Sequence, residues 1–250
     1  SPPVLPPAPA RPALSPPRAA PAWFCLRLAA ACGLPVPQVS LRRVPEPVFL
    51  VRRFDREGEG LDVRRLYALD ACQALSLDPV FKYREATTAR LVELVALCRR
   101  PAATRLALFR WQLFNLLIGN GDAHLKNLSL LPDPGGHGLD LAPHYDLLST
   151  AVYRAPDWAD AGLVIPMGNA RTFGSVRRDD VVAFAAAIGV PESAAQREAG
   201  RMIEAVRSHG RALAQACSEG ADGPVDAGEA RLLRQIVHGV LEDAVRALQV

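Results

Sequence analysis

Two short segments gather the residues with the most chemistry. Residues 115–127 read NLLIGNGDAHLKN, an apolar run that breaks into Asp122, His124, Lys126 and three asparagines, and residues 141–150 read LAPHYDLLST, with Asp146 near their centre. An aspartate followed five residues later by an asparagine, as Asp122 and Asn127 stand, is a phosphoryl-transfer spacing. The carboxylate accepts the proton of an attacking hydroxyl, and the asparagine holds a magnesium ion. Asp146 supplies a second carboxylate for that ion, since Mg²⁺ takes hard oxygen ligands and draws part of its shell from phosphates and one or two carboxylates. The cation then offsets charge building on the transferred group, so catalysis is largely positioning and electrostatics. Lys126 is the cation available to steady that charge or the aspartate.

Other readings use the same residues. Asn-Gly and Gly-Asp pairs mark turns, and side-chain-to-backbone hydrogen bonds alone can hold such a loop. Asp122, His124, His144 and Asp146 also suit a hydrolytic transition-metal site, although no tight helical pair of histidines is present and the aspartate–asparagine spacing accounts for more residues. Taken singly, His124 reads as a structural histidine, and Arg99, Arg100, Arg105 and Arg110 as a solvated basic face.

Positioning these groups requires a frame. An apolar helix over 102–118 must stop at Gly119, and a hairpin of 128–131 with 139–141, around PDPGGHG, must return the chain so that APHYDLLST lies beside the first loop. Upstream, WFCLRLAAAC from Trp23 is an apolar helical run closed by Gly33, with Pro35 beyond. Strands are expected at 38–43 and 48–54, separated by PEP at 45–47 and ended by GEG at 58–60. Asp62 can cap a helix reaching Leu75, and Thr88 one reaching about Arg99. A strand at 163–167 and helices at 179–188, 193–218 and 228–249 complete the pattern, their Ala, Val and Leu recurring at helical spacing. Residues 1–22 hold nine of the 22 prolines and read as a disordered or polyproline-like tail.

Composition narrows the classes. With 250 residues, half of them hydrophobic, the chain can bury the core of one large domain or two modest ones. It has no run of 18 uncharged apolar residues and no leader with a basic start and apolar core, so a cytoplasmic location and no membrane partner are expected. Cys25, Cys32, Cys72, Cys98 and Cys217 are scattered without zinc or redox spacing and read as reduced, mostly buried thiols. A net charge of +3, with bases interleaved among acids, gives no footprint for direct nucleic-acid binding. The cations are nearly all arginine, the two lysines being Lys82 and Lys126.

Together, GNGDAHLKNLS and LAPHYDLLST carry a resemblance. They are similar to the GNxDxHxKNxS and LxPxYDLxST signature of the HipA-like serine/threonine kinases of bacterial toxin–antitoxin systems. WFCLRLAAACGLPVPQVSL resembles that family's helix and strand before the interlobe hinge, VRRFDR at 51–56 the hinge strand, and LDACQALSLDPVFKY the first helix of the large lobe. The likeness spans residues 23–250. It implies an α+β, mainly α fold: a kinase-like large helical lobe at 61–250 with a truncated small lobe, whose remnant and hinge occupy 23–60. It also implies transfer of the γ-phosphoryl group of ATP, with Mg²⁺, to a Ser or Thr hydroxyl of a protein. On that resemblance Asp122 is the catalytic base, His124 and Lys126 support its loop, Asn127 and Asp146 bind the metal, and Arg53 and Phe54 flank the adenine. The implied partners are a protein substrate, a translation component such as an aminoacyl-tRNA synthetase, and a DNA-binding antitoxin.

The chain also departs from the family. No Gly-containing phosphate loop and no lysine precede the hinge, Pro21 and Ala22 stand where the family usually reads Asn-Glu, Arg52 where Glu is frequent, and Leu69 replaces a usual Glu. Three accounts fit: a chain cut at the lobe boundary, a frameshifted upstream region, or a pseudokinase that serves as a binding module. The abrupt junction at Ala22 and Trp23 favours truncation or a frameshift. Weak or absent turnover is the expectation, because losing groups that position phosphate slows transfer by orders of magnitude.

Overall fold

The computed structural model describes residues 19–44, 47–58, 62–133, 135–136, 138–154, 157–219 and 226–249. Helix α1 (Ala19–Ala31) begins four residues ahead of Trp23, so residues 19–22 of the expected tail are helical. Alanine favours that state, and Pro21 falls in the first turn, where a missing N–H breaks no intrahelical bond. Ala20 and Pro21 are already buried there, and the tail over 1–18 lies outside the described residues. Gly33, at φ +81°, ends the helix: its amide reaches the Ala30 carbonyl and the Leu34 amide reaches that of Ala29, both at 3.0 Å. This pattern satisfies carbonyls that the last turn leaves open.

Strands β1 (Val39–Arg43) and β2 (Pro47–Val51) form an antiparallel hairpin with Leu41 opposite Phe49. The expected turn between them falls partly outside the described residues, as do positions 59–60 of GEG. The alternating side that carries Val39, Leu41 and Phe49 packs on the core beside α1.

The helix expected from Asp62 to Leu75 does not form. Strand β3 (Arg56–Glu57) pairs instead with β4 (Arg64–Arg65), and Arg64 forms an ion pair with Glu57 across the ladder. Strand β5 (Leu69–Asp70) leaves one short helix, α2 (Ala71–Ala74), capped by Asp70, whose carboxylate accepts from the Gln73 amide at 2.9 Å. Strand pairing with distant residues overrides the local helical preference. A 3-10 turn follows at Pro79–Phe81, so LDACQALSLDPVFKY holds far less helix than the resemblance implied.

Helix α3 (Thr88–Ala96) is capped by Thr87, one residue earlier than expected. Helix α4 (Pro101–Leu117) is buried on nearly every side through Leu108, Phe109, Trp111, Leu113, Phe114 and Leu117. A helix with that much apolar surface must be enclosed, and the remaining helices supply the enclosure. Strands β6 (Ser129–Pro132) and β7 (Leu139–Leu141) make the expected hairpin, with Leu130 opposite Leu141, and β5 joins as a third strand at Leu69–Leu130. Residues 134 and 137 of its turn are outside the described set. Strand β8 (Gly162–Met167) pairs with a short β9 (Ala170–Thr172) that no sequence pattern announced.

Helices α5 (Arg178–Ala187) and α6 (Glu192–Ser218) match expectation to within a residue. The expected helix over 228–249 is interrupted. α7 (Ala227–Gln235) passes into a π-helical turn at Ile236–Leu241 and continues as α8 (Glu242–Gln249). Helices α3, α5, α6 and α8 pack around α4, while α1 packs on α6 and α7. The class is α+β and mainly helical, as the resemblance implied. All five cysteines are buried thiols, and burial pushes Cys25 and Cys32 up to about 12. Among the described residues no helix is long and apolar enough to cross a membrane.

Candidate active site

The site starts where α4 stops. Gly119 takes φ +63°, its amide meets the Leu116 carbonyl at 3.1 Å, and the Asn120 amide meets that of Asn115 at 2.9 Å. A side chain has no room there, since a Cβ on Gly119 would lie 2.6 Å from Ala151 Cβ and 2.8 Å from Val240 Cγ1. Asn120, buried, then stitches the two chemistry-bearing segments together. Its Nδ2 donates to Asn115 Oδ1 at 2.8 Å and to the Asp146 carbonyl at 3.4 Å, while its Oδ1 accepts from the Asp122 amide at 3.1 Å. Thr150 adds a second stitch, its Oγ1 accepting from the Gly121 amide at 2.7 Å. The β6–β7 hairpin therefore returns LAPHYDLLST to the loop as its length predicts.

Asp122 and Asn127 close the loop on itself. Asn127 Nδ2 donates to the Asp122 carbonyl at 2.8 Å, which leaves the amide oxygen as an acceptor. Asp146 sits at φ +55°, a left-handed conformation that costs a non-glycine residue on the order of 1 kcal/mol. Burial, and then the negative charge of Asp122, raise the Asp146 carboxyl above the ordinary range, while His124 and Lys82 act the other way. A carboxylate beside the negative charge of Asp122 is one that a hard dication would suit, because the cation removes the repulsion, and Asn127 carries an amide oxygen in the same loop as Asp122.

His124 and Lys126 lie in the same loop with different surroundings. His124 is buried, and burial, with the nearby charge of Lys82, holds its imidazole below the usual range, although Asp122 opposes this. Its Nε2 stands 3.9 Å from Asp122 Oδ1, and its ring takes the ring of Tyr83 edge-on at 5.0 Å. The hydroxyl of Tyr83 donates to Asp122 Oδ1 at 2.5 Å. Lys126 forms an ion pair with Asp70 at 2.5 Å, the residue that caps α2, and Tyr145 donates to the Lys126 carbonyl at 2.6 Å.

His144 is elsewhere: its ring stacks on Trp111 at 6.3 Å in the core. Among the described residues no group of three or more His, Cys, Asp and Glu is placed to hold a metal, so the hydrolytic site of Asp122, His124, His144 and Asp146 is not assembled.

Two clefts flank the loop. One, of about 530 Å³, opens between β2 and residues 145–148, with Phe49, Val51 and Phe54 among its apolar walls and Asp146 on its lining. Phe54 packs against Tyr145 at 5.5 Å. Arg53 also lines this cleft, but its guanidinium is bound to Asp55 at 2.6 and 2.8 Å. Arg56 joins the same carboxylate at 2.6 Å, and these cations, Arg53 foremost, hold Asp55 down to about 2 against the effect of burial. The second cleft, of about 580 Å³, is lined by Tyr83, Asp122, Thr150, Arg154, Trp158 and Phe173 among others. Leu148 belongs to both.

Tyr83, Asn120 and Thr150 help to build the site, although sequence reasoning alone assigns none of them a role. Tyr83 lies 39 residues from Asp122, so nothing in local spacing could pair them, whereas Asn120 and Thr150 sit inside the quoted segments.

Residues 17–210 match the model of the HipA-like C-terminal domain. The chain is 34% identical over 229 residues to a Sinorhizobium fredii protein named as a candidate kinase, Y4mE, an alignment that takes in 84% of this chain and 52% of the relative. It is 36% identical over 149 residues, 52% of this chain and 34% of the relative, to the serine/threonine-protein kinase toxin HipA of Shewanella oneidensis. A solved structure of HipA from Shewanella oneidensis, in complex with HipB and operator DNA, matches with a TM-score of 0.80 at 26% identity, over 92% of this chain and 55% of that one. The chain thus spans about half the length, or less, of these relatives. Because the family match encloses both signature segments and the frame that joins them, the chain belongs to the HipA-like C-terminal domain family.

Proposed function

We propose that this chain is the catalytic region of a HipA-like serine/threonine kinase that moves the γ-phosphoryl group of ATP to a protein hydroxyl. The observation that carries this reading is the meeting of the two clefts at Leu148, with Asp146 on one side and Asp122 on the other. Such an arrangement suits a phosphoryl donor in the first cleft and an acceptor in the second.

In this reading Phe49, Val51 and Phe54 bury the adenine, and the chain at Arg53 and Phe54 is the hinge. Asn127 and Asp146 hold Mg²⁺, which when bound offsets the charge that develops on the transferred group. Asp122 takes the proton of the Ser or Thr hydroxyl as its oxygen bonds to the γ-phosphorus and the bond to ADP breaks. Asn120 and Asn127 keep the Asp122 backbone in place through the bonds given above. His124 supports the loop by packing, and Lys126 supports it through Asp70. The relatives' names support a toxin of a toxin–antitoxin pair, and the neighbour bound to HipB supports an antitoxin protein as partner. A translation component such as an aminoacyl-tRNA synthetase is the acceptor class that the resemblance suggests, without direct nucleic-acid contact by this chain.

One observation favours a second reading, a binding module that keeps the nucleotide cleft without turnover. Arg53 and Arg65 line that cleft but no lysine does, and Arg53 is committed to Asp55. Incubating the chain with radiolabelled ATP, Mg²⁺ and casein, beside Asp122→Asn, separates the two. Slow Mg²⁺-dependent transfer that Asp122→Asn abolishes is the expected result. Binding of Mg-ATP without transfer in either protein would favour the module.

A further inference from the structure

The carboxylate of Asp122 is the most exposed part of the loop, with 52% of its side chain open to solvent. Its backbone is well held: the amide by Asn120, and the carbonyl by the Asn127 side chain and the His124 amide. None of these bonds fixes the side-chain torsions, which decide where a base points. Among the described residues, one hydrogen bond reaches the carboxylate itself, that from the Tyr83 hydroxyl to Oδ1 at 2.5 Å.

Tyr83 is in turn held by its neighbours. It follows the 3-10 turn at Pro79–Phe81, its carbonyl accepts from the Ala86 amide at 3.1 Å, and the Lys82 carbonyl accepts from the Leu125 amide at 3.3 Å. That second bond ties the segment directly to the loop it serves. The buried ring of His124 meets the Tyr83 ring edge-on, and the Lys82 ammonium lies 4.8 Å from the ring centroid. Although Tyr83 is 47% exposed, its ring is met by His124 and Lys82, and its bond to one carboxylate oxygen leaves the other as the proton acceptor. Tyr83 also stands in the second cleft, where an acceptor would enter.

We infer that Tyr83 is the positioning residue of Asp122: its hydroxyl holds Oδ1, directs Oδ2 at the acceptor hydroxyl, and depends on His124 and Lys82 to keep its ring in place. The inference rests on the kinase reading for its catalytic consequence, and on the hydrogen bond alone for its geometry.

Tyr83→Phe keeps the ring and its contacts with His124 and Lys82 and removes only the hydroxyl. In the full chain, with ATP and casein, it is expected to lower kcat about tenfold while KM for ATP and the melting temperature stay unchanged, because a misdirected base slows the chemical step alone. An unchanged kcat, or a loss confined to ATP affinity, overturns the inference. If the unsubstituted chain transfers nothing, the kinase reading fails, and a measurement that needs no turnover decides the geometry. Asp122 first, then burial and Asp146, push the Tyr83 hydroxyl up to about 12, so alkaline absorbance titration of Asp122→Asn should show one tyrosine ionising at lower pH than in the unsubstituted chain. That difference should vanish when Tyr83→Phe is added. Its presence sustains the contact, and identical titrations overturn it.

Discussion

Asn127 and Asp122 are joined across the interval that separates them, the side-chain nitrogen of one donating to the main-chain carbonyl of the other at 2.8 Å. The same asparagine thus ties the loop with its nitrogen, and its oxygen is the ligand that the proposed function gives to Mg²⁺. Asn127→Ala should remove both roles. It is expected to cut Mg²⁺-dependent transfer at least about a hundredfold, since positioning and charge neutralisation are lost together. It should also lower stability by about 0.5–1.5 kcal/mol, the net loss of one hydrogen bond, because the Asp122 carbonyl keeps the His124 amide at 2.9 Å. Transfer assays and urea unfolding measure the two effects separately.

Gly119 is irreplaceable for two independent reasons, its positive φ and the close approach of Ala151 and Val240. Gly119→Ala should destabilise the chain by about 2–4 kcal/mol, from left-handed strain plus overpacking. Gly200 lies within α6, where an added Cβ meets nothing within 4 Å. Gly200→Ala should therefore stabilise by about 0.5–1 kcal/mol. Opposite signs in one series of unfolding curves are the expected outcome.

His144 gives the fold a pH dependence of its own. Burial holds its imidazole down to about 4, below an unfolded value near 6.5, so the unfolded chain binds a proton that the folded chain refuses. Its stabilising contribution is full above about pH 6.5 and is lost progressively as the pH falls toward 4, by roughly 3 kcal/mol in all. His144→Phe, which keeps a ring against Trp111, should flatten the fall in melting temperature between pH 6.5 and 4. An unchanged slope would assign that fall to other groups.

Phe54 faces the first cleft and packs on Tyr145. Phe54→Ala should weaken ATP binding about five- to tenfold, the loss of about 1 kcal/mol of apolar contact, measured by calorimetry with Mg-ATP. Arg53→Ala should act on stability, because its guanidinium serves Asp55. Asp55 holds its charge down to about pH 2, so that pair stabilises above about pH 4 and fails as the pH drops through 2. A larger ATP effect from Arg53→Ala than from Phe54→Ala would reverse the two roles.

What the sequence disclosed follows the range of the interactions. Helix α4 was legible because its apolar run and Gly119 are local signals, and the β6–β7 hairpin because its turn residues are contiguous. The closeness of Asp122 and Asp146 was legible because one loop and one hairpin carry them, and Asn127 closes that loop on the Asp122 carbonyl. The segment from Asp62 to Tyr83 was misread because its structure comes from distant partners: β5 exists through Leu130 and Ser129, and Asp70 is engaged by Lys126, 56 residues on. Tyr83 fell in that misread stretch. The π turn was invisible for another reason, since apolar periodicity continues through it.

That turn has a consequence for the far end of the molecule. A π-helical turn carries extra residues relative to an α-helical one, and successive α-helical side chains are rotated by about 100°. Val240, inside the turn, covers Gly119. The carboxyl-terminal helix therefore works like a key whose cut depends on counting residues. Deleting a single residue from α7, ahead of the turn, would rotate Val240 by about 100° away from Gly119 without changing any residue of the loop itself.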